Sequence, residues 1–150
     1  MIQNYDAAID DLSTYLQIDS TSVLALWQRA FCQMRINRFQ ASQGTNVQLQ
    51  NASVQGDLTH ALELNPTSPW LLYNRATQAA LIQDYERAIA DYTVALKYEP
   101  LLAEAYYNRG LCLLFMKRQD EGLQDLGKAG ELGLYTAYSL IKKNKKQKTE

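Results

Sequence analysis

Along residues 72–81 the apolar side chains fall at Leu72, Ala76, Ala79 and Ala80, and along 85–96 at Tyr85, Ala88, Ile89, Tyr92, Ala95 and Leu96. Spacings of three and four gather these side chains on one face of a helix, and neither stretch alternates with the period of two that a half-buried strand would show. The pattern predicts two consecutive helices. Ser68 offers an N-cap followed by Pro69 at the first helical position, and Asp84 caps the second helix. Small residues at Ala76 and Ala88 suit a close crossing of the pair. Two helices cannot bury their apolar faces alone, so such pairs must stack.

The same pair recurs. Leu72-Tyr73-Asn74-Arg75-Ala76 returns 34 residues later as Tyr106-Tyr107-Asn108-Arg109-Gly110, and stands 46 residues earlier as Leu26-Trp27-Gln28-Arg29-Ala30. A second block, led by Asp11, Asp57, Asp91 and Asp125, repeats at 46, 34 and 34, and Pro66 and Pro100 close successive units. Periods of this length mark a helical array. The expected organisation is one all-α domain: a half unit over 1–22, a unit over 23–68 with an insertion, units over 69–102 and 103–134, and a capping helix with a basic tail over 135–150.

With the bulky, small and proline positions at Leu72, Ala76, Tyr85, Ala88, Tyr92, Ala95 and Pro100, the chain resembles the tetratricopeptide repeat (TPR) family. The resemblance implies a right-handed α-solenoid of stacked helix-turn-helix units whose members are generally non-enzymatic binding scaffolds. It puts the first helices along a concave groove, with Trp27, Phe31 and Arg35 in one unit, Trp70, Tyr73, Asn74 and Thr77 in the next, and Glu104, Tyr107, Asn108 and Leu111 in the third. Aromatic anchors beside amides suit a peptide or protein partner. Family members that clamp acidic chaperone tails use basic residues here, whereas Trp27, Phe31, Glu104 and Asn108 fill those slots and only Asn74 matches, which argues against that role. The segments Phe39 to Asn46 and Ala129 to Gly133 are similar to repeat proteins of Bacteroidetes-type bacteria. The last unit departs from the pattern, with Gly122 in the small-residue slot at a cost of about 1 kcal/mol and Leu134 where the closing proline would stand.

Two irregularities stand out. Residues 1–19 supply only a second helix, with Tyr5, Ala8, Leu12 and Leu16 in the slots of Tyr85, Ala88, Tyr92 and Leu96. The apolar edge this leaves predicts either the C-terminal part of a longer repeat protein or self-association through that edge. The other is that Arg29 and Asp57 lie 28 residues apart while Arg75–Asp91 and Arg109–Asp125 lie 16 apart. The twelve extra residues fall in a stretch over 40–56 that carries no charge and is rich in Gln, Asn, Ser and Thr. They predict a short loop near Ser42 to Asn46 and a second helix extended backward by one or two turns.

The recurring Arg29, Arg75 and Arg109 on first helices and Asp57, Asp91 and Asp125 on second helices require pairing, because an isolated buried charge is expensive. Closure within a unit and closure between adjacent units are both open on the sequence.

Composition then removes classes. The 150 residues are 47% hydrophobic and 21% charged with a net charge of −1. No apolar run reaches the roughly 20 residues of a membrane span. The charge divides unevenly: residues 1–141 carry −5 and the last nine +4. An acidic body weakens nucleic-acid binding, leaving an RNA-binding role only to the Lys142 to Lys148 cluster. One histidine, His60, and two cysteines in the same repeat slot, Cys32 and Cys112, form no metal or disulfide pattern, and no cofactor motif is found. The chain shows no secretory leader, so a cytoplasmic setting is expected, or a periplasmic one if a longer gene product carries a signal peptide.

Overall fold

The computed structural model describes residues 3–44 and 48–147. Among them lie eight helices and no strand: α1 (Gln3–Ile18), α2 (Val23–Ser42), α3 (Gln48–Leu64), α4 (Pro69–Leu81), α5 (Tyr85–Tyr98), α6 (Ala103–Phe115), α7 (Gln119–Glu131) and α8 (Thr136–Gln147). They divide into two compact units, residues 1–78 and 79–150, with the boundary inside α4.

In the first unit α1 packs on α2 and α2 on α3, burying Leu16, Leu26, Ala30, Ile36, Val54, Leu58, Ala61 and Leu62. In the second, α5 packs on α6, α6 on α7 and α7 on α8, around Ala88, Tyr92, Ala95, Cys112, Leu113, Leu126 and Ala129. Leu58 and Leu126 are fully enclosed, and truncating either to alanine costs about 2–5 kcal/mol in lost transfer energy and cavity formation.

Helix starts and stops follow local chemistry. Ser22, Ser68 and Asp84 accept from the backbone N–H of Ala25, Leu71 and Arg87 respectively, each satisfying one of the orphan donors of a helix N-terminus. First helices α4 and α6 end on left-handed residues, Gln83 at φ 64° and Lys117 at φ 63°. There the N–H of Asp84 reaches the Ala79 carbonyl and that of Arg118 reaches Leu113, both at 2.9 Å, the closure that satisfies a helix C-terminus.

The same slot in α2 is Asn37, and it does not turn. It stays helical and buried, with its Oδ1 accepting from Gln33 Nε2 at 3.0 Å. The left-handed stop comes seven residues later at Gly44, φ 79°. Consequently α2 has 20 residues against 13 in α4 and α6. The insertion is thus divided differently from the sequence-based expectation: seven residues lengthen the first helix, three extend α3 backward from its repeat start, and two lengthen the loop. Positions 45–47 of that loop lie outside the described residues.

The second unit closes more tightly. A Cβ added at Gly122 would lie 2.9 Å from the Gly110 carbonyl oxygen and 2.9 Å from Leu114, and one at Gly110 would lie 3.0 Å from the Gly122 oxygen. Glycine at these positions lets α6 and α7 cross backbone to backbone. The next helix uses the same device, because the Tyr138 ring covers Gly130 so closely that a Cβ there would fall 2.5 Å from Cζ. Ala137 of α8 is fully buried beside Leu126 and Ala129, with Leu140 and Ile141 packed around them. The helix runs on through Lys142 and Lys143 to Gln147, so the basic cluster begins as its last turns rather than as a tail. The side chains of residues 145–147, and everything past 147, lie outside the described residues.

Candidate functional site

The repeated charges meet inside two hairpins, α2–α3 and α6–α7. Arg29 donates through Nε and Nη2 to the two Asp57 oxygens at 2.8 and 2.6 Å, and Arg109 does the same to Asp125 at 2.6 and 2.8 Å. The fork geometry matches the carboxylate plane, so each pair is bidentate. Hydrogen bonding to the aspartate is the main cause that raises both arginines above their ordinary pKa, against the opposing effect of burial. The remaining nitrogen reaches backward: Nη1 of Arg29 donates to Ser13 Oγ at 3.1 Å, and Nη1 of Arg109 to Thr93 Oγ1 at 3.0 Å. Each arginine therefore ties its own hairpin shut and also holds the preceding second helix. The hydroxyl is a repeat position, two residues after the aspartates at 11 and 91; that spacing was available in the sequence, and the expectation did not use it. Arg75 and Asp91 each have interactions of their own.

An open cleft of about 880 Å³ over α5, α6 and α7 is lined by Thr93, Arg109, Arg118, Glu121 and Asp125. Its charges are paired internally, with Arg118 on Glu121 at 2.6 Å beside the Arg109–Asp125 fork. Arg118 holds the exposed Glu121 carboxyl below the ordinary range. This cleft is the Arg109–Asp125 clamp seen from outside.

Of the groove residues read from the sequence, Trp27 and Phe31 stack at 5.6 Å on α2. Together with Gln28 and Cys32 they form one wall of a groove of about 490 Å³, whose other wall is Tyr5, Ala8, Asp11 and Leu12 of α1. Arg35 is exposed further along α2. On α4, Trp70 is 57% exposed, while Tyr73, Asn74 and Thr77 are half-buried, Thr77 donating to the Tyr73 carbonyl. On α6, Glu104 is exposed, Asn108 and Leu111 are half-buried, and Tyr107 packs against the core around Leu126 and Ala137. Phe115, at the end of α6, lies parallel to the Tyr85 ring at 5.2 Å.

Cys32 and Cys112 are free and buried. Desolvation raises both thiols, Cys112 to about 11. Among the described residues no cluster of His, Cys, Asp or Glu could hold a metal ion, and no helix is long and apolar enough to cross a membrane.

Comparison with known proteins follows the geometry. Residues 58–90 match the family model described as tetratricopeptide repeat. No curated protein matches the chain. Among solved structures, MamA superposes with a TM-score of 0.81 at 21% identity, over 93% of this chain and 75% of that one. MamA from residue 41 onward of Desulfovibrio magneticus RS-1 gives 0.76 at 17%, over 91% and 72%. The first TPR of Spaghetti (RPAP3), bound to the HSP90 peptide SRMEEVD, gives 0.65 at 19%, over 83% and 96%. At these identities the likeness is one of fold, an all-α array of helix-turn-helix units.

Proposed function

The chain is a tetratricopeptide-repeat protein, and on that premise we propose that it is a non-enzymatic scaffold that holds a peptide or protein partner on the exposed face of its first helices. The observation that carries this reading is the recurrence of large, exposed apolar side chains at equivalent slots. Leu24 and Trp70 share the opening slot of a first helix and are 63% and 57% exposed; Leu81 and Phe115 share the closing slot and are 67% and 64% exposed. Scattered apolar exposure is ordinary, but its return at the same repeat position within a unit, Leu24 and Trp70 in the first and Leu81 and Phe115 in the second, marks a candidate docking face in each. Within the first unit the candidate residues are Trp27, Phe31 and Arg35 with Trp70, Tyr73, Asn74 and Thr77; within the second they are Glu104, Tyr107, Asn108 and Leu111. Aromatics supply contact area at low entropic cost, and the Asn74 and Asn108 amides suit a peptide backbone. Glu104 beside Asn108 opposes the acidic tails that Spaghetti (RPAP3) holds, so the partner read from this face is apolar or basic.

A random peptide library displayed on phage and selected against the whole chain tests the proposal. Calorimetry of the selected peptides should show Trp70→Ala and Tyr73→Ala each weakening binding about tenfold, equivalent to about 1.4 kcal/mol. Selected peptides that bind both variants as tightly as the native chain would overturn it.

A further inference from the structure

We infer that the distal end of α2 docks an acidic peptide segment of a partner protein, one that sets carboxylates against Arg35 and Arg38 and a large apolar side chain against Phe39. The inference expects a protein ligand, as the scaffold reading does, and adds a second surface with the opposite charge preference.

The surface lies where this chain departs from the repeat. In register, Arg35 holds the slot at which α4 ends with Leu81 and α6 with Phe115. Helix α2 runs seven residues further, to Ser42. Arg38, Phe39 and Ser42 stand on that extension, and with Arg35 they are spaced three and four apart, so one helix face carries all four. All are exposed, Phe39 at 49%. The other side of the extension is closed, with Ile36 and Asn37 buried. Because a regular first helix stops at the slot of Arg35, repeat packing supplies no partner for Arg38 and Phe39.

The charge of this surface identifies its ligand. Positions 20–56 contain no aspartate or glutamate, while the chain as a whole has 16. Arg29 is spent on Asp57. Arg35 and Arg38 are neighbours across one turn, a like-charge pair that destabilises its own helix, and among the described residues neither forms an ion pair. Exposed cations elsewhere are neutralised at that same spacing, Arg118 by Glu121 and Lys128 by Glu131. On α2 the residue three after Arg35 is a second arginine instead. A carboxylate brought between the two guanidinium groups supplies the missing counter-charge, in the planar geometry that arginine binds best. Phe39, one turn beyond Arg35, gives the same ligand an apolar contact that excludes water from one side of the ion pairs.

Other anionic surfaces fit less well. A nucleic-acid strand needs cations spread along its phosphates, and residues 1–141 carry −5. A membrane needs an apolar helix face, and that of α2 is buried through Leu26, Ala30 and Ile36.

The probe is a fluorescein-labelled peptide, Glu-Glu-Leu-Phe-Glu-Glu-Leu-Phe-Glu-Glu, titrated against the whole chain by anisotropy. Affinity should fall about tenfold with Arg35→Glu and Arg38→Glu combined, and as much when glutamine replaces every glutamate of the peptide. A peptide with lysine in place of glutamate should bind the doubly changed chain about tenfold more tightly than the native one, a reversal that a misfolded variant could not give. Phe39→Ala should weaken the acidic peptide about threefold with its salt dependence unchanged. Affinity untouched by the two arginine changes, or no reversal with the lysine peptide, would overturn the inference. So would sedimentation of the chain alone showing a dimer that Arg35→Glu dissociates, since the acidic ligand would then be a second copy. A poly(U) strand that binds more tightly than the peptide through the same arginines would overturn it as well, because phosphate would then be the ligand. Trp70 and Tyr73 lie outside this surface, so the two readings fail separately: library peptides indifferent to Trp70→Ala beside an intact arginine effect would sink the proposed function and leave this surface standing.

Discussion

The hairpins α2–α3 and α6–α7 carry the same clamp on different frames. Both join an arginine of the first helix to an aspartate of the second through a bidentate fork, yet the paired residues are 28 apart in one and 16 in the other. The extra length is harmless because it lies beyond Ile36, on the far side of the hairpin from Arg29. What α6–α7 gains in its place is intimacy. Gly110 and Gly122 let the backbones touch, and the Arg109 guanidinium lies 5.6 Å from the Tyr106 ring centre. Arg109 is 19% exposed where Arg29 is 26%. Register in this fold is therefore set near the clamp and the small-residue crossing, and length is free at the distal end.

The sharpest way to break that comparison is to remove the arginine from each hairpin. Arg109→Ala leaves Asp125 as an unpaired, nearly enclosed carboxylate and should cost about 3–5 kcal/mol. Arg29→Ala strands an equally enclosed Asp57 and differs only in the more exposed guanidinium, so it should cost slightly less, about 3 kcal/mol. Denaturant unfolding measures both, and equal losses would show that the closer packing of α6–α7 does not strengthen its clamp.

The two cysteines share a repeat slot and sharpen the contrast chemically. Burial holds the Cys112 thiol to about 11, from an ordinary value of 9.0. At pH 8 its thiolate fraction is then about a hundredfold below that of a free thiol, and alkylation of the folded chain should slow in proportion. Cys32, which borders the open groove beside α1, should react first. The sign for stability follows. The unfolded thiol ionises near 9 and the folded one near 11, so its contribution is intact below pH 9 and is lost as pH rises between those values. Faster labelling at Cys112 than at Cys32 would reverse the ranking of the two hairpins.

Gly122→Ala separates helix propensity from packing. In an isolated helix the change would gain about 1 kcal/mol. Here the new methyl meets a backbone oxygen and the Leu114 side chain at 2.9 Å, and overpacking of this kind costs about 1–3 kcal/mol. The variant should therefore be destabilised by about 1 kcal/mol in a thermal melt. A stabilised variant would mean that α6 and α7 can part without cost.

Much of this was legible before any coordinate. Helical spacing around Ala76 and Ala88 and the caps at Ser68 and Asp84 identify the elements because each is written in residues within one helix of each other, and the 34-residue ruler repeats those local signals. The division of the insertion was not legible. Nothing at Asn37 signals that it will stay helical when Gln83 and Lys117, neither of them a glycine, turn left-handed in the equivalent slot. There the buried Asn37 amide oxygen accepts from Gln33 instead. Likewise the arginine and aspartate blocks recur with constant offsets, so spacing admitted closure within or between units. The choice follows from guanidinium reach, and the hydroxyls at Ser13 and Thr93 show that one side chain serves both directions. For the interaction surface, Tyr107, a groove candidate by its pattern, is half-buried and also packs against the core around Leu126 and Ala137, where α8 closes over that end.

The weakest link of the clamp offers the finest comparison. Thr93 Oγ1 donates to the Ile89 carbonyl at 2.7 Å and accepts from Arg109 at 3.0 Å, so it steers the guanidinium from an anchored position. Ser13 accepts from Arg29 at 3.1 Å. Both contacts are at least partly open to water, where a hydrogen bond to a charged group loses much of its value, so Thr93→Val should cost about 1 kcal/mol and Ser13→Ala about half that. The decisive measurement is a double-mutant cycle. If the hydroxyl acts through the arginine, Thr93→Val should cost nothing in an Arg109→Ala background, because the guanidinium it positions is gone. Additive losses would mean that Thr93 matters only to its own helix, and that the tie between α5 and α6 is carried by apolar packing.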